Sequence, residues 1–219
     1  MRLNRFIASY SNLSRRKADE LIAAGKIVVN RQVANPGTNV SEKDTVVVNG
    51  KKLVATPRSH RIVLLHKPIG YVCSKDGQGS PTVYELLQKS MQNLNIAGRL
   101  DKDSSGLVVL TDDGLLMQEL THPSNDKEKV YTVTLNKPLA DGAIAQFARG
   151  VNIGDARVSK LEVLPLEAGK TYQVRIHEGR NRQIRRSFES LGYRVETLHR
   201  TQLGPYKLEP LAPKQFKTL

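Results

Sequence analysis

The chain has 219 residues, of which 39% are hydrophobic and 25% charged, a composition that favours packed domains and excludes a wholly disordered chain. Its formal net charge is +13, and residues 1–60 carry 11 Lys and Arg against 4 Asp and Glu, whereas the other 159 residues carry 23 against 17. This clustering indicates a polyanionic partner, because contacts with phosphates release counterions; the alternative is a solvated basic surface.

The cysteine, histidine and hydropathy patterns exclude further classes of protein. Cys73 is the single cysteine, so an internal disulfide and a cysteine-built zinc site are excluded. The five histidines never occur at the close spacing of a metal-binding helix, and we expect no metal. The first ten residues lack the apolar core of a secretory signal, and no run approaches the roughly 18 apolar residues of a membrane span. We therefore expect a cytoplasmic protein without a membrane partner.

The first sixty residues are predicted to form two helices followed by short strands. Ser14 is a good N-cap for the second helix, and Gly25 is a good stop after it. The apolar residues of this helix follow helical spacing and define one buried face: Ala18, Leu21 and Ile22. Short strands are predicted at 27–29 and 45–48, each beside an Asn or Gly turn.

Three cations, Arg15, Arg16 and Lys17, occupy the first turn of this second helix. The helix macrodipole is positive there, so each exposed cation costs about 0.3–1 kcal/mol of helix stability. A sequence accepts this cost more readily if the cations meet phosphates, and we therefore predict that they contact the phosphates of a polyanionic partner. The alternative is a surface cluster that the fold merely tolerates.

Residues 51–61 are polar, contain a proline and show little periodicity, so we predict a linker there. Beyond it the sequence predicts runs of strands interrupted by helices, without regular alternation, which favours an α+β class. Strands are predicted at 62–65, 106–111, 130–135, 158–164 and 171–176. Helices are predicted near 82–90, 113–121, 139–148 and 181–191.

Two segments of this second region combine charge with buried elements. The segment GRLDKDSSGLVVLT at 98–111 places charged residues and a glycine directly before an apolar strand, which is a rigid mount for a catalytic group. The alternative is an Asp chosen for its turn chemistry. The segment HEGRNRQIRRSFESLG at 177–192 places four arginines around the start of a helix that Asn181 would cap. Arginine suits forked contacts with phosphate or carboxylate; the alternative is a solvated face.

Three ordered motifs resemble a known family. GRLDKDSSGLVVLTDDG at 98–114, KVY at 129–131 and EGRNRQIRRSFESLG at 178–192 strongly resemble the bacterial rRNA pseudouridine synthases. The opening from Leu3 through SRRKADELIAAGKIVVN at 14–30 to the valines at 46–48 resembles the S4 RNA-binding domain that one branch of the family carries. LLHKPIG at 64–70 resembles the start of the catalytic domain. Together these motifs extend along nearly the whole chain.

The resemblance implies a domain plan and a partner. It implies an S4-like domain at 1–50, the linker at 51–61, and a catalytic domain with a mainly antiparallel sheet at 62–219. The partner would be ribosomal RNA, bound by a monomer. KDS at 102–104 and NRQ at 181–183 look closer to large-subunit than to small-subunit members, so we expect large-subunit rRNA.

The resemblance also implies roles for individual residues. Asp101 would be the catalytic aspartate, Arg185 its charge partner, and Tyr131 the ring that packs on the uracil. Arg99 would help to displace the base from its stack. From residue type and position rather than from the resemblance, we also predict that two groups of cations bind RNA: Arg15, Arg16 and Lys17 in the S4-like region, and Arg180, Arg182 and Arg186 in the third motif.

These roles suit the reaction, in which the glycosidic bond breaks, the base turns, and carbon 5 joins the sugar. Neither atoms nor electrons are exchanged with a co-reactant, so we expect no nucleotide, metal or redox cofactor, in agreement with the missing P-loop and dinucleotide fingerprint. Two other readings are a non-catalytic S4-type RNA-binding factor and a methyltransferase. The first does not explain the ordered motifs, and the second needs a glycine-rich cofactor loop that the sequence lacks.

Overall fold

The computed structural model describes residues 1–11, 13–54, 59–77, 79–166 and 169–219. These residues form two compact units, Met1–His60 and Arg61–Leu219. Within the described ranges, no helix is both long enough and apolar enough to span a membrane.

The first unit combines two helices with four short strands around one apolar core. Its elements are α1 (Leu3–Tyr10), α2 (Arg15–Ala23), β1 (Ile27–Val29), β2 (Gln32–Val33), β3 (Val46–Val48) and β4 (Lys51–Lys52). The strands form an antiparallel sheet in the order β2–β1–β3–β4. The hydroxyl of Ser14 accepts a hydrogen bond of 3.1 Å from the backbone N–H of Lys17 and so caps α2. The buried face of α2 is confirmed as Ala18, Leu21 and Ile22.

The stretch at 51–61 begins differently from the predicted linker. Lys51 and Lys52 form β4 and pair with β3, and Leu53 packs against the core of the first unit. The turn between the two strands is Asn49-Gly50, and both residues have positive φ angles, 48° and 77°. Asn-Gly between strand-forming residues is a strong hairpin signal, which the polar character of the following lysines concealed. Residues 55–58 of the predicted linker lie outside the described residues.

The second unit is built on a nine-stranded sheet. Its strands are β5 (Ile62–Lys67), β6 (Asn95–Ala97), β7 (Ser105–Thr111), β8 (Lys129–Leu135), β9 (Glu162–Pro165), β10 (Thr171–Ile176), β11 (Val195–Leu203), β12 (Tyr206–Lys207) and β13 (Phe216–Thr218). Seven of them lie in the order β13–β5–β7–β11–β8–β10–β9, while β6 pairs with β7 and β12 with β11. The pairing of β7 with β11 is parallel, and the other pairings are antiparallel. The predicted α+β class, with its mainly antiparallel sheet, is confirmed.

The helices of the second unit are α3 (Gly114–Thr121), α4 (Ala143–Arg149) and α5 (Gln183–Glu189). The helical stretch predicted near 82–90 is confirmed only in part, because no α-helix forms there. Val83–Leu86 and Lys89–Met91 are separate 3₁₀ turns, because the backbone at Leu87 is extended. Tyr84, in the first turn, is anchored by its hydroxyl, which donates a hydrogen bond of 3.0 Å to the carbonyl of Leu94.

Strand β7 is buried on both faces, which fixes the loop in front of it. Val108 and Leu110 belong to the larger apolar core of the unit, and Leu107 and Val109 belong to a smaller core on the other face. An uninterrupted apolar run is what a strand covered on both sides requires. Residues 98–104, called the 98–104 loop below, connect β6 to this strand and are therefore attached to a rigid element.

Candidate active site

The 98–104 loop presents Asp101 at the start of β7. The loop turns at Gly98, whose φ of +78° favours glycine, and closes with a hydrogen bond of 3.1 Å from the Ser104 N–H to the Asp101 carbonyl. The Asp101 side chain is 38% exposed. Its carboxylate is thus accessible, whereas the backbone that carries it leads directly into the core.

A buried cation, Lys67 on β5, forms hydrogen bonds with the backbone of the 98–104 loop. Lys67 is 0% exposed, and its ammonium donates hydrogen bonds to the carbonyls of Pro68, Asp101 and Ser104 at 3.1, 2.9 and 2.5 Å. Burial lowers the pKa of Lys67, and the nearby carboxylates of Asp103 and Asp101 oppose that effect. The ammonium therefore fixes both ends of the turn that carries Asp101.

A second buried cation, Arg200 on β11, holds the first part of the loop. Arg200 is 1% exposed, and its Nε donates a hydrogen bond of 2.8 Å to the Leu107 carbonyl. Its Nη2 and Nη1 donate to the carbonyls of Gly98 and Arg99 at 2.6 and 3.4 Å. Neither Lys67 nor Arg200 is among the site residues predicted from the sequence. For Lys67 the available signal was a cation at the end of the mostly apolar strand β5, whereas β11 is mostly polar and gave no such signal for Arg200.

Beside the loop, two arginines converge on Asp103. Arg182 forms a forked pair with it, with Nη1–Oδ1 at 3.2 Å and Nη2–Oδ2 at 3.1 Å. Arg185 places its Nε 3.3 Å from Asp103 Oδ2 and donates from Nη2 to the Asp103 carbonyl and from Nη1 to the Val195 carbonyl, both at 2.9 Å. Asp103 is therefore the acidic centre of this cluster.

The expected pairing of Arg185 with Asp101 takes a different form in the structure. Among the described residues, the cation within 4 Å of the Asp101 carboxylate is Arg182, with Nη1–Oδ2 at 3.6 Å. Arg185 reaches the same turn through Asp103. The arginine side chains differ in exposure, 12% for Arg185 and 43% for Arg182, so Arg185 is the more firmly embedded.

The pKa shifts in this cluster follow from burial and charge. Burial opposes ionisation of Asp103, but the hydrogen bond from Arg182 and the charges of Arg185 and Arg182 outweigh it and lower the pKa of Asp103. Burial lowers the pKa of the Arg185 guanidinium, while its hydrogen bond with Asp103 raises that of Arg182. Asp103 is held as a carboxylate that neutralises part of the arginine charge.

Tyr131 and Arg99 flank this cluster in different ways. Tyr131 lies on β8, is 6% exposed and belongs to the larger core of the unit. In the register of the sheet it is paired with Arg200 on β11 and with Val174 on β10. Arg99 is exposed on the 98–104 loop. Arg200 is thus linked to both residues: it is paired with Tyr131 in the sheet, and it donates a hydrogen bond to the Arg99 carbonyl.

The second unit matches a known protein family. The RNA pseudouridylate synthase family matches residues 61–190, which include the 98–104 loop, Tyr131 and the arginine cluster. The chain belongs to this family. The enzyme also carries an S4 domain, matched over residues 1–46. It is therefore an RNA-directed isomerase with an S4 domain, as the motifs predicted.

Relatives of known name match along the whole chain. The enzyme is 37% identical to the ribosomal small subunit pseudouridine synthase A of Salmonella typhimurium and 36% identical to that of Escherichia coli. Each match covers 100% of this chain and 96% of the relative. A crystal structure of a pseudouridylate synthase is similar with a TM-score of 0.73 and 32% identity, over 100% of this chain and 96% of that one.

Two of the arginines predicted to bind RNA, Arg180 and Arg186, form ion pairs with carboxylates of the same chain. Arg180 donates to Asp155 Oδ2 at 3.2 Å and to Glu178 Oε1 at 2.7 Å, and Arg186 donates to Asp155 Oδ1 at 2.5 Å. Arg186 also donates to the Ile153 carbonyl. These bonds tie the chain near residue 155 to α5, so both side chains have a structural use and their RNA contacts stay a prediction.

The start of α5 differs from the expectation of an Asn181 cap. The N-cap is Arg182, one residue later, with a left-handed φ of 47° and no side-chain capping bond. A left-handed conformation is unusual for a residue with a side chain and is typical of strained functional positions. Here it aims the Arg182 side chain towards Asp103 and Asp101.

The three cations predicted to bind RNA in the S4 domain are exposed. Arg15, Arg16 and Lys17 form the first turn of α2, and Lys17 Nζ lies 2.7 Å from Glu20 Oε2. Arg15 and Arg16 are therefore the better placed of the three for phosphate contacts. Across the described part of the chain, His, Cys, Asp and Glu form no group of three that could hold a metal ion.

Proposed function

We propose that the enzyme isomerises uridine to pseudouridine in the ribosomal RNA of the small subunit and that Asp101 is the catalytic carboxylate. The choice of subunit is supported by the Salmonella typhimurium and Escherichia coli relatives, which are named as small-subunit enzymes and match along the full chain. It replaces the large-subunit expectation, which depended on two tripeptides at 102–104 and 181–183.

The observation that carries the assignment of Asp101 is its combination of fixed backbone and open carboxylate. Lys67 holds the Asp101 carbonyl at 2.9 Å, the side chain is 38% exposed, and the Arg182 guanidinium lies 3.6 Å from Oδ2. A catalytic group must be held within a few tenths of an ångström of its productive position while the substrate can still reach it. Asp101 meets both requirements.

The proposed chemistry needs one ionised carboxylate at the sugar. The bond between N1 and the sugar carbon C1′ breaks, the base rotates, and a bond forms between C5 and C1′. The proton on C5 is then lost, and N1 acquires one. Asp101 acts in this sequence either as a nucleophile at the sugar or as a base that removes a sugar proton, and both roles require its anionic form.

The target base must leave its stack before this chemistry begins, and that costs a few kcal/mol. Arg99 would occupy the space that the base leaves, and its exposure on the 98–104 loop supports this role. Tyr131 would then receive the uracil against its ring, which is the usual use of an aromatic side chain with an unstacked base. Arg182, Asp103 and Arg185 would keep the electrostatics around Asp101 fixed during the exchange.

The test is tritium release from RNA labelled with [5-³H]uridine. Native enzyme should release tritium from small-subunit rRNA and not from large-subunit rRNA, and Asp101→Asn should release none while still binding. Release from large-subunit rRNA alone would refute the substrate assignment. Mapping of pseudouridine in rRNA from cells with and without the enzyme would then locate the uridine.

A further inference from the structure

Arg200 is the largest fully buried side chain among the described residues, and it lies outside the three motifs. No carboxylate of the described chain lies within 4 Å of its guanidinium, which is satisfied by backbone carbonyls alone. Burying a cation without a counter-ion is costly, and an apolar side chain of similar volume would stabilise a core better. The position therefore needs a purpose other than stability.

The three carbonyls show what Arg200 connects. One belongs to Leu107 on β7, and the other two belong to Gly98 and Arg99 on the 98–104 loop. The planar guanidinium spans these acceptors as a rigid fork, which a lysine ammonium cannot do. It therefore fixes the loop relative to the strand just before the residue that carries the proposed chemistry.

Arg200 is also the neighbour of Tyr131 in the sheet. The two residues are direct partners between β11 and β8, and Arg200 is the partner of Gly106 on β7. Directly opposed residues of antiparallel strands point to the same face, with Cβ atoms about 4.5–5.5 Å apart. The register is interrupted between Arg200 and Gln202, as is common where a strand orients a functional side chain.

The neighbouring glycine preserves this arrangement. Gly106 has a φ of +108°, and a Cβ there would overlap the backbone of Arg200. Only glycine lets β11 approach β7 closely enough for the Arg200 side chain to reach under the loop. The close approach and the buried cation are thus two parts of one arrangement.

We propose that Arg200 is a positioning residue for isomerisation, which sets the geometry between the loop that carries Arg99 and Asp101 and the strand that carries Tyr131. The proposal rests on the proposed roles of those residues. Arg200 itself touches no reacting atom, because it is 1% exposed beneath the loop. Its loss should therefore slow the chemical step without weakening RNA binding.

The experiment compares Arg200→Lys with native enzyme in single-turnover tritium release at saturating small-subunit rRNA. Lysine keeps the charge but cannot span the Leu107 and Gly98 carbonyls. We expect the rate to fall about 10- to 100-fold, since misplacement by about 1 Å costs that much, while the RNA Kd changes by less than about threefold. Should this variant unfold, Arg200→Gln is the second choice because it buries no charge.

Val163→Ala is the matched control for stability. Val163 is buried on β9, at the far edge of the sheet, so its truncation should lower the Tm and leave the rate of folded enzyme unchanged. A native rate for Arg200→Lys at saturating RNA would overturn the proposal. So would a rate loss that only follows the folded fraction and disappears at lower temperature. An active Asp101→Asn would instead remove the proposed function, whatever Arg200 does.

Discussion

Arg182 and Asp103 form a forked ion pair, and the same guanidinium lies 3.6 Å from Asp101 Oδ2. One arginine is therefore shared by two carboxylates of the 98–104 loop. Asp103 takes the direct contacts, both of about 3.1 to 3.2 Å, and Asp101 is left with the longer one. The arrangement keeps a cation beside Asp101 without closing that carboxylate to a substrate.

Replacement of Asp103 by Asn should reduce stability in a pH-dependent manner. The pKa of Asp103 is lowered in the folded state, so its contribution is present above its unfolded pKa and is lost as pH falls through the folded value. Native enzyme should exceed Asp103→Asn in stability at pH 7, with the difference shrinking below about pH 4. Urea denaturation at several pH values measures this, with the exposed Asp141→Asn as control. A difference that is independent of pH would contradict the prediction.

Replacement of Asp101 by Asn should abolish isomerisation and leave RNA binding intact. The amide keeps the shape of the side chain but cannot supply an anionic oxygen for either proposed role. Tritium release should fall by at least about 1,000-fold, within the range that loss of a catalytic group produces. The Kd for the same RNA, from filter binding, should remain within about threefold. The exposed Asp141→Asn variant is again the control. A turnover of Asp101→Asn close to the turnover of Asp141→Asn would exclude Asp101 from catalysis.

The two arginines beside the loop should differ when each is replaced by Met. Arg185 is 12% exposed and holds both the Asp103 and Val195 carbonyls, so Arg185→Met should lower the Tm and reduce the rate about 100-fold or more. Arg182 is 43% exposed, so Arg182→Met should reduce the rate with little change in Tm. Thermal unfolding and single-turnover kinetics check both. Equal Tm values for the two variants would show that Arg185 is not the structural member of the pair.

The sequence predicted the fold class and the main site elements because they depend on local signals. The Ser14 cap, the apolar run of β7 and the motif around Asp101 can all be recognised within about fifteen residues. Arg200 could not be recognised in this way, because its proposed role depends on its register partners in two neighbouring strands, Tyr131 on β8 and Gly106 on β7. Such long-range register is set by tertiary structure.

For the arginine cluster, the sequence likewise did not predict which residues the side chains contact. Its composition predicted phosphate contacts for Arg180, Arg182 and Arg186 together. The structure separates them, because Asp155 engages Arg180 and Arg186 whereas Arg182 faces the 98–104 loop. Residue type alone indicated the chemistry available to these side chains but not which acidic neighbour each would meet.

Replacement of Arg99 by Ala should impair duplex-flanked targets more than short flexible strands. The cost of extruding a base is larger when it must leave a stacked helix, so a side chain that fills the gap matters most there. Single-turnover rates on a structured fragment and on an unstructured oligonucleotide with the same target give the comparison. Lys102→Ala, at another exposed cation of the loop, controls for lost charge. An equal loss for Arg99→Ala on both substrates would contradict a role in flipping.

Replacement of Arg15, Arg16 and Lys17 by Ala should weaken RNA binding and leave the saturated rate nearly unchanged. Each lost phosphate contact reduces the log–log salt slope by about 0.7 to 0.9. Because Lys17 is paired with Glu20 at 2.7 Å, we expect a change close to the contribution of two contacts, from Arg15 and Arg16. Removal of cations from the first turn of α2 should also stabilise the helix slightly, by about 0.3–1 kcal/mol each, so weaker binding could not be ascribed to unfolding.

The measurement is a binding titration at several salt concentrations, paired with single-turnover kinetics at saturating RNA. Glu20→Gln is the companion variant, because it removes the ion-pair partner of Lys17 without changing Arg15 or Arg16. It should steepen the log–log salt slope by at most the contribution of one phosphate contact, about 0.7 to 0.9. An unaltered slope in the triple variant would show that this turn is a solvated surface. A collapse of its saturated rate would show instead that the S4 domain acts in the chemical step, since phosphate contacts fix register and affinity rather than chemistry.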